Sequence, residues 1–209
     1  MHKETLVIIG ASGQGKVAAD IAKLIGRYHN ILFLDDASTE VCMGIPVLGK
    51  SDMADDFLEE ADFFVAIGNP VIRRKFLEEL EAKGANIVSL IHPHAIIGTN
   101  VQIGLGTAIM AGAVLNPECR IGKGCIINTC ASVDHDCVLG DYVHVSVGAH
   151  LAGMVVVGQE TWIGAGATVS NNITIYEGCI IGAGAVVIKD LSANCTAVGV
   201  PAKPIKFRE

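Results

Sequence analysis

Aromatic side chains are scarce in this chain: 5 % of its 209 residues, with a single Trp. A core built on large rings is therefore excluded, and whatever packs the interior has to be small or aliphatic. Basic residues are also few, 15 Lys and Arg against 22 Asp and Glu, for a net charge of −7. That balance argues against a nucleic-acid-binding surface, which needs clustered Lys and Arg. No uninterrupted apolar run approaches the roughly 18 residues of a membrane-spanning helix. The charged opening Met1–Thr5 and the Gly-Gln-Gly-Lys segment after Ile9 do not read as a signal peptide. Seven cysteines form no CxxC pair and no metal-finger spacing, which fits a reducing, cytoplasmic setting. What the chain has in quantity is glycine (24 residues) and aliphatic side chains, with 51 % hydrophobic and 18 % charged residues. Disorder is excluded, and the length allows one large domain or two small ones.

The second half carries a strict internal period. Every sixth residue from Ile91 to Val187 is Ile, Leu or Val, 17 positions without one insertion. The position four residues later is mostly small or β-branched, as at Ala95, Val101, Thr107, Ala113, Cys119 and Cys125. No helix has a period of six, and an ordinary strand alternates at two. Three short flat strands per coil, each giving one aliphatic residue to the interior, satisfy the pattern. Coils then stack at the normal strand spacing of about 4.8 Å. This is a parallel β-helix of hexapeptide repeats, with between five and six coils of 18 residues over 91–192. Glycine often follows the aliphatic residue, as at Gly98, Gly104, Gly122, Gly140, Gly164 and Gly182. The expectation is that these glycines serve the turns, where positive φ is cheap without a Cβ. Solenoids need capped ends; residues 1–90 would cover the first and the tail Ala193–Glu209 the second. Cys119, Cys125, Cys137 and Cys179 fall in the small inward slot and read as core, while Cys130 falls on another phase.

The first half alternates strands and helices. Strands are expected at Thr5–Ile9, Asn30–Leu34, Phe63–Ile67 and Asn86–Leu90, and helices at Lys16–Ile25, Asp52–Glu60 and Val71–Lys83. That alternation implies a small parallel sheet of the Rossmann-like type, a domain over 1–90 followed by the β-helix over 91–209. The segment Gly10-Ala-Ser-Gly-Gln-Gly15 lies at a strand-to-helix junction, where backbone N–H groups can hold phosphates. Asp35 and Asp36 close the second strand about where a carboxylate commonly meets a ribose hydroxyl. A plain tight turn with a solvated acidic pair is the bland alternative. With space for little more than one mononucleotide-binding half, one nucleotide fits better than a full dinucleotide. A nucleotide-linked sugar would leave its base and phosphates here and send its sugar toward the coil.

Acetyl transfer to an amine or hydroxyl needs a base near neutral pKa, and imidazole suits this. The histidines are His2, His29, His92, His94, His135, His144 and His150. His135, flanked by Asp134 and Asp136, could project at a coil corner and be made more basic, or could be a satisfied structural histidine. A zinc site of His135, His144 and His150 is rejected within one subunit, because their spacing spreads them around the coil; only a trimer could join them.

Taken together, Ile8–Gly15, Phe33–Asp36, Ala66–Asn69, Ser89–His92, Asn128-Thr129, His135–Cys137, His144–Gly148, Ala152-Gly153 and Gly199–Lys203 carry a family resemblance over nearly the whole chain. The sequence resembles bacterial sugar acetyltransferases related to the sialic-acid O-acetyltransferases. Within these it is most similar to acetyl-CoA-dependent N-acetyltransferases of UDP-4-amino-4,6-dideoxy sugars, the bacillosamine-pathway type. The resemblance implies a left-handed β-helix and a homotrimer with acetyl-CoA between neighbouring β-helices. It implies His135 as general base for the 4-amino group, with Asp136 adjusting its basicity. Asn128 and His144 would line the interface site, His144 on the cofactor side; Gly153 would offer acetyl-CoA a backbone N–H, with Gly199 and Lys203 near the cofactor. Gly10, Ser12, Gly13, Asp35, Asp36 and Gly68 would bind the nucleotide. Gln14 stands where relatives often carry His. The expected reaction is direct attack by the amine on the thioester, with no covalent acetyl-enzyme, no metal and no membrane insertion. O-acetylation of a sialic-acid-type sugar, and a non-catalytic nucleotide-sugar-binding protein, are the alternatives the sequence leaves open.

Overall fold

The computed structural model describes residues 3–37 and 41–208; His2 lies outside them. The chain divides into two compact units, 1–93 and 94–209. In the first, strands β1 (Thr5–Ile9), β2 (Asn30–Leu34), β3 (Val47–Gly49), β4 (Ala61–Val65) and β5 (Asn86–Ile87) form one parallel sheet in the order β3-β2-β1-β4-β5. Helices α1 (Gly13–Ile25) and α2 (Pro70–Ala82) make two of the crossovers. The central strand β1 is a continuous apolar run because both its faces are covered: Leu6, Val7 and Ile8 have no solvent exposure. Gly26 at φ 69° ends α1, and Asn69 caps α2 by accepting from the N–H groups of Val71 and Ile72.

Several boundaries differ from the sequence expectation. The fourth strand starts two residues early because Asp62, which reads as a polar end, is wholly buried. Its carboxylate accepts from Arg27 (2.6 Å), the Tyr28 hydroxyl (2.9 Å) and Asn86 (2.5 Å). Burial and the facing Asp62 carboxylate push the Tyr28 phenol well above its ordinary value. The expected helix over Asp52–Glu60 is a 3₁₀ segment, Ser51–Phe57, which buries only Ala54 and so lacks an apolar stripe to hold an α-helix. The strand expected over Asn86–Leu90 is broken into β5 and a separate pair, Leu90–Ile91. The three-residue β3 carried no readable sequence signal.

The second unit is a left-handed parallel β-helix with two-residue strands on three faces. The first face stacks Ile96–Ile97, Val114–Leu115, Ser132–Val133, His150–Leu151, Thr168–Val169 and Val186–Val187. The second runs from Gln102–Ile103 to Thr174–Ile175, and the third includes Ala108–Ile109, Ile126–Ile127, His144–Val145, Trp162–Ile163 and Ile180–Ile181. Each residue pairs with the one 18 positions on, as Ser132 with His150. The inward aliphatic and small positions form one continuous core, in which Cys119, Cys125, Cys137 and Cys179 are fully buried. Cys130 is exposed. The hairpin Cys195–Val198 with Lys203–Phe207 closes the end of the third face.

The glycines after the aliphatic position do not serve positive φ, contrary to expectation. The left-handed residues lie three positions after each aliphatic one, from Asn100 through Glu118, Cys130, Asp136, Tyr142 and Met154 to Gly184. Gly98, Gly104, Gly122, Gly140, Gly158 and Gly164 are needed for a different reason. A Cβ on any of them would meet the next coil's backbone at 2.7 Å or less. Coil stacking, not turn chemistry, selects glycine there.

Candidate active site

Three places in the molecule collect the chemistry. In the sheet unit, the C-terminal ends of β1, β2 and β4 form the edge where the strand order reverses, and open α/β sheets bind ligands at such points. Gly10 holds φ +104°, and a Cβ on it would sit 2.9 Å from the Ala66 carbonyl oxygen. The two loops that wall the crevice can approach this closely only with glycine there. Ser12 is the first residue before α1, and its side chain does not cap the helix; nor does the first turn hold an acid. The leading amides of α1 are therefore available to an anion. Gly68 ends the opposite wall, across from the Gln14 side chain.

Asp35 and Asp36 stand at the end of β2 as expected, and the structure gives both internal partners. Asp35 accepts from the amides of Ala11 (2.7 Å) and Ala37 (2.8 Å), tying the glycine-rich turn to β2. Asp36 accepts from the Ser51 amide and hydroxyl, and these bonds hold its carboxyl below the usual range.

His135 occupies the corner between the first and second faces, and its side chain is 52 % exposed. Its backbone N–H donates to the Asp134 carboxylate (2.8 Å), which also accepts from Asn116 one coil below (2.7 Å). The ring Nδ1 lies 2.8 Å from Asp136 Oδ2. An ionised carboxylate only accepts, so Nδ1 carries the proton and Nε2 is left as the basic nitrogen. The Asp136 bond raises the imidazole pKa above its ordinary value, against a smaller opposing effect of desolvation. Nε2 lies over Gly153 of the next coil, 2.5 Å from where a Cβ would stand. Gly153 thus does something the sequence did not disclose: it makes room for the ring.

Asn128 and His144 sit together on the third face, with Asn128 Nδ2 and His144 Nε2 3.3 Å apart. The His144 ring stacks on Trp162, centroids 5.3 Å apart and planes within 9°. Trp162 donates its indole N–H to Ser146 Oγ (2.7 Å). An apolar groove runs along this face past His144, Val147, Trp162, Ala165, Ile180 and Ala183. Trp162 was missed in the sequence, although it stands one 18-residue coil above His144. Gly199 follows the strand that pairs with the groove's last rung, so the turn to Lys203 borders the same face. Within one chain, then, His144, Gly199 and Lys203 share a face, while Gly153 and His135 are at a different corner, with the first face between. His150 meets Ser132 Oγ at 2.8 Å. Among the described residues, no group of three or more His, Cys, Asp or Glu is arranged to hold a metal ion, and no helix is long and apolar enough to cross a membrane.

Comparison with known proteins agrees with this architecture. Residues 5–80 match the PglD N-terminal domain, and residues 154–189 match the bacterial transferase hexapeptide of six repeats. The acetyltransferase domain of PglB from Neisseria gonorrhoeae FA1090 is 42 % identical over 97 % of this chain and 100 % of its own, with a TM-score of 0.95. It has also been solved with acetyl coenzyme A. PerB from Caulobacter crescentus, solved with CoA and GDP-perosamine, is 38 % identical over 97 % of both chains, TM-score 0.92. The UDP-N-acetylbacillosamine N-acetyltransferase of Bacillus subtilis (strain 168) is 36 % identical over 116 residues. That match spans about half of this chain and about half of the relative.

Proposed function

Because the chain belongs to the hexapeptide-repeat sugar N-acetyltransferases with a PglD-type N-terminal domain, we propose that it moves the acetyl group of acetyl-CoA onto the 4-amino group of a UDP-linked 4-amino-4,6-dideoxy sugar. His135 is the general base. The observation that carries this is the His135–Asp136 pair, which ties up Nδ1 and leaves a basic Nε2 on a half-exposed ring over Gly153.

The amine nitrogen attacks the thioester carbonyl while Nε2 of His135 takes its proton. The tetrahedral species then collapses, the C–S bond breaks, and the proton returns to the CoA sulfur. The backbone N–H of Gly153 is the candidate donor to the developing oxyanion. No intermediate on the enzyme is needed, since the inward cysteines are buried. Acetyl-CoA lies along the third-face groove past Asn128, His144 and the Gly199–Lys203 turn. The separation of that groove from His135 within one chain supports a homotrimer, in which one copy's groove meets a neighbour's His135 corner. The nucleotide sits at Gly10, Ser12, Gly13 and Gly68. Asp35 and Asp36 stand at the end of β2 to accept its hydroxyls.

His135→Ala tests the base. Turnover is expected to fall roughly 10²–10⁴-fold, with the melting temperature and the affinities for acetyl-CoA and nucleotide sugar held. A folded, ligand-binding variant with near-normal turnover at neutral pH would remove His135 from the role.

A further inference from the structure

Among the described residues, Arg73 is the largest wholly buried side chain, at 0 % exposure. A fully buried arginine is rare, because desolvating a guanidinium is costly unless good acceptors meet it. Here Nη1 donates to the carbonyl oxygens of Ile67 (2.7 Å) and Gly68 (2.8 Å). These are two of the three residues between β4 and the Asn69 cap of α2, in the wall of the crevice that faces Gly10. A carbonyl left pointing into the crevice would oppose an anionic ligand. Two carbonyls drawn onto a buried cation cannot do so. The crevice is also flanked by the N-termini of α1 and α2, both 13-residue helices with no acid in the first turn.

We infer that Arg73 is a positioning residue for the diphosphate of a nucleotide ligand: it fixes the Ile67–Gly68 carbonyls away from the crevice and so sets the wall's polarity for an anion. The inference rests on the reading of this crevice as the nucleotide site. It adds a residue that touches no substrate and acts through the loop.

The test is titration calorimetry with free UDP and GDP on the full chain, paired with steady-state kinetics. Arg73→Met should weaken nucleoside diphosphate binding roughly 10–100-fold, the usual worth of hydrogen bonds from a charged group. The KM for acetyl-CoA and kcat at saturating acceptor should stay within about twofold of the parent. Arg73→Lys, whose ammonium can reach the same carbonyls with its charge intact, should recover most of the affinity. Should Arg73→Met not fold, Arg73→Gln against Arg73→Lys carries the comparison, with Gln the weaker binder by roughly tenfold. Equal affinities in folded Lys and neutral variants, or equal losses for acetyl-CoA and nucleotide, overturn the inference while leaving the crevice as the nucleotide site. A parent protein that binds neither UDP nor GDP overturns both.

Discussion

In the proposed reaction a single hydrogen-bonded pair carries the chemistry, and its neighbours explain its geometry. Asp136 stands in the left-handed region at φ 58°, one of the conformations Asp tolerates better than most residues. That turn presents its carboxylate to Nδ1 of His135. The bond raises the pKa of the imidazole, and the working form is the unprotonated one. The acidic limb of kcat/KM should therefore lie above the usual imidazole value. Asp136→Asn removes the raising partner, so the limb should move to lower pH while the plateau rate falls. A pH–rate profile of the two proteins checks the sign; an unmoved limb would detach Asp136 from the base. Gly153→Ala offers a second check. The added methyl would stand 2.5 Å from Nε2 and 2.7 Å from Cε1, and the exposed ring can swing aside at little structural cost. Thermal stability should change by less than about 1 kcal/mol, whereas turnover should fall by roughly tenfold or more, as misplacement of a base predicts.

At the scale of the element, one repeated unit uses glycine in two ways that a sequence does not distinguish. Gly122 is required by approach: a Cβ would lie 2.5–2.6 Å from atoms of Asp141 and Gly140 on the next coil. Gly166 is at φ +65° with nothing within 4 Å. Gly122→Ala should cost about 1–3 kcal/mol through overpacking, seen as a melting temperature lower by several degrees. Gly166→Asn should cost less than about 1 kcal/mol, since Asn accepts the left-handed region. Equal losses would mean that turn conformation, not coil stacking, governs both positions. The aliphatic period was legible because the coils from Ile109 onward bury the same inward positions and no insertion blurs it, although Ile91 and Ile97 at the start of the period are exposed. The left-handed positions were not, because Glu118, Cys130, Tyr142 and Met154 are not residues that advertise a turn. Asp62 and Arg73 were hidden for the opposite reason. Charged residues read as surface until their buried partners are known.

For the whole molecule, the proposed function assigns the two halves different parts of one reaction: a crevice for the nucleotide and a solenoid for the acyl donor and the base. The glycine-rich turn after β1 and the acidic pair after β2 could be read from their place behind a strand, whereas Gly68 after β4 came only from the family resemblance. That His135, at a corner, and His144, on the third face, lie apart could be read from their nine-residue spacing. That His144 stacks on Trp162 follows from the 18-residue coil but needed the fold to be noticed.

The most direct test of the account is an acceptor panel with acetyl-CoA, followed by mass spectrometry of the products. It would contain UDP- and GDP-linked 4-amino sugars, their 4-hydroxy counterparts and sialic acid. The account predicts one acetyl group added to the UDP-linked 4-amino sugar, no addition to its hydroxy counterpart, and stoichiometric release of CoA. Acetylation of the hydroxy sugars or sialic acid with the amines untouched would contradict it.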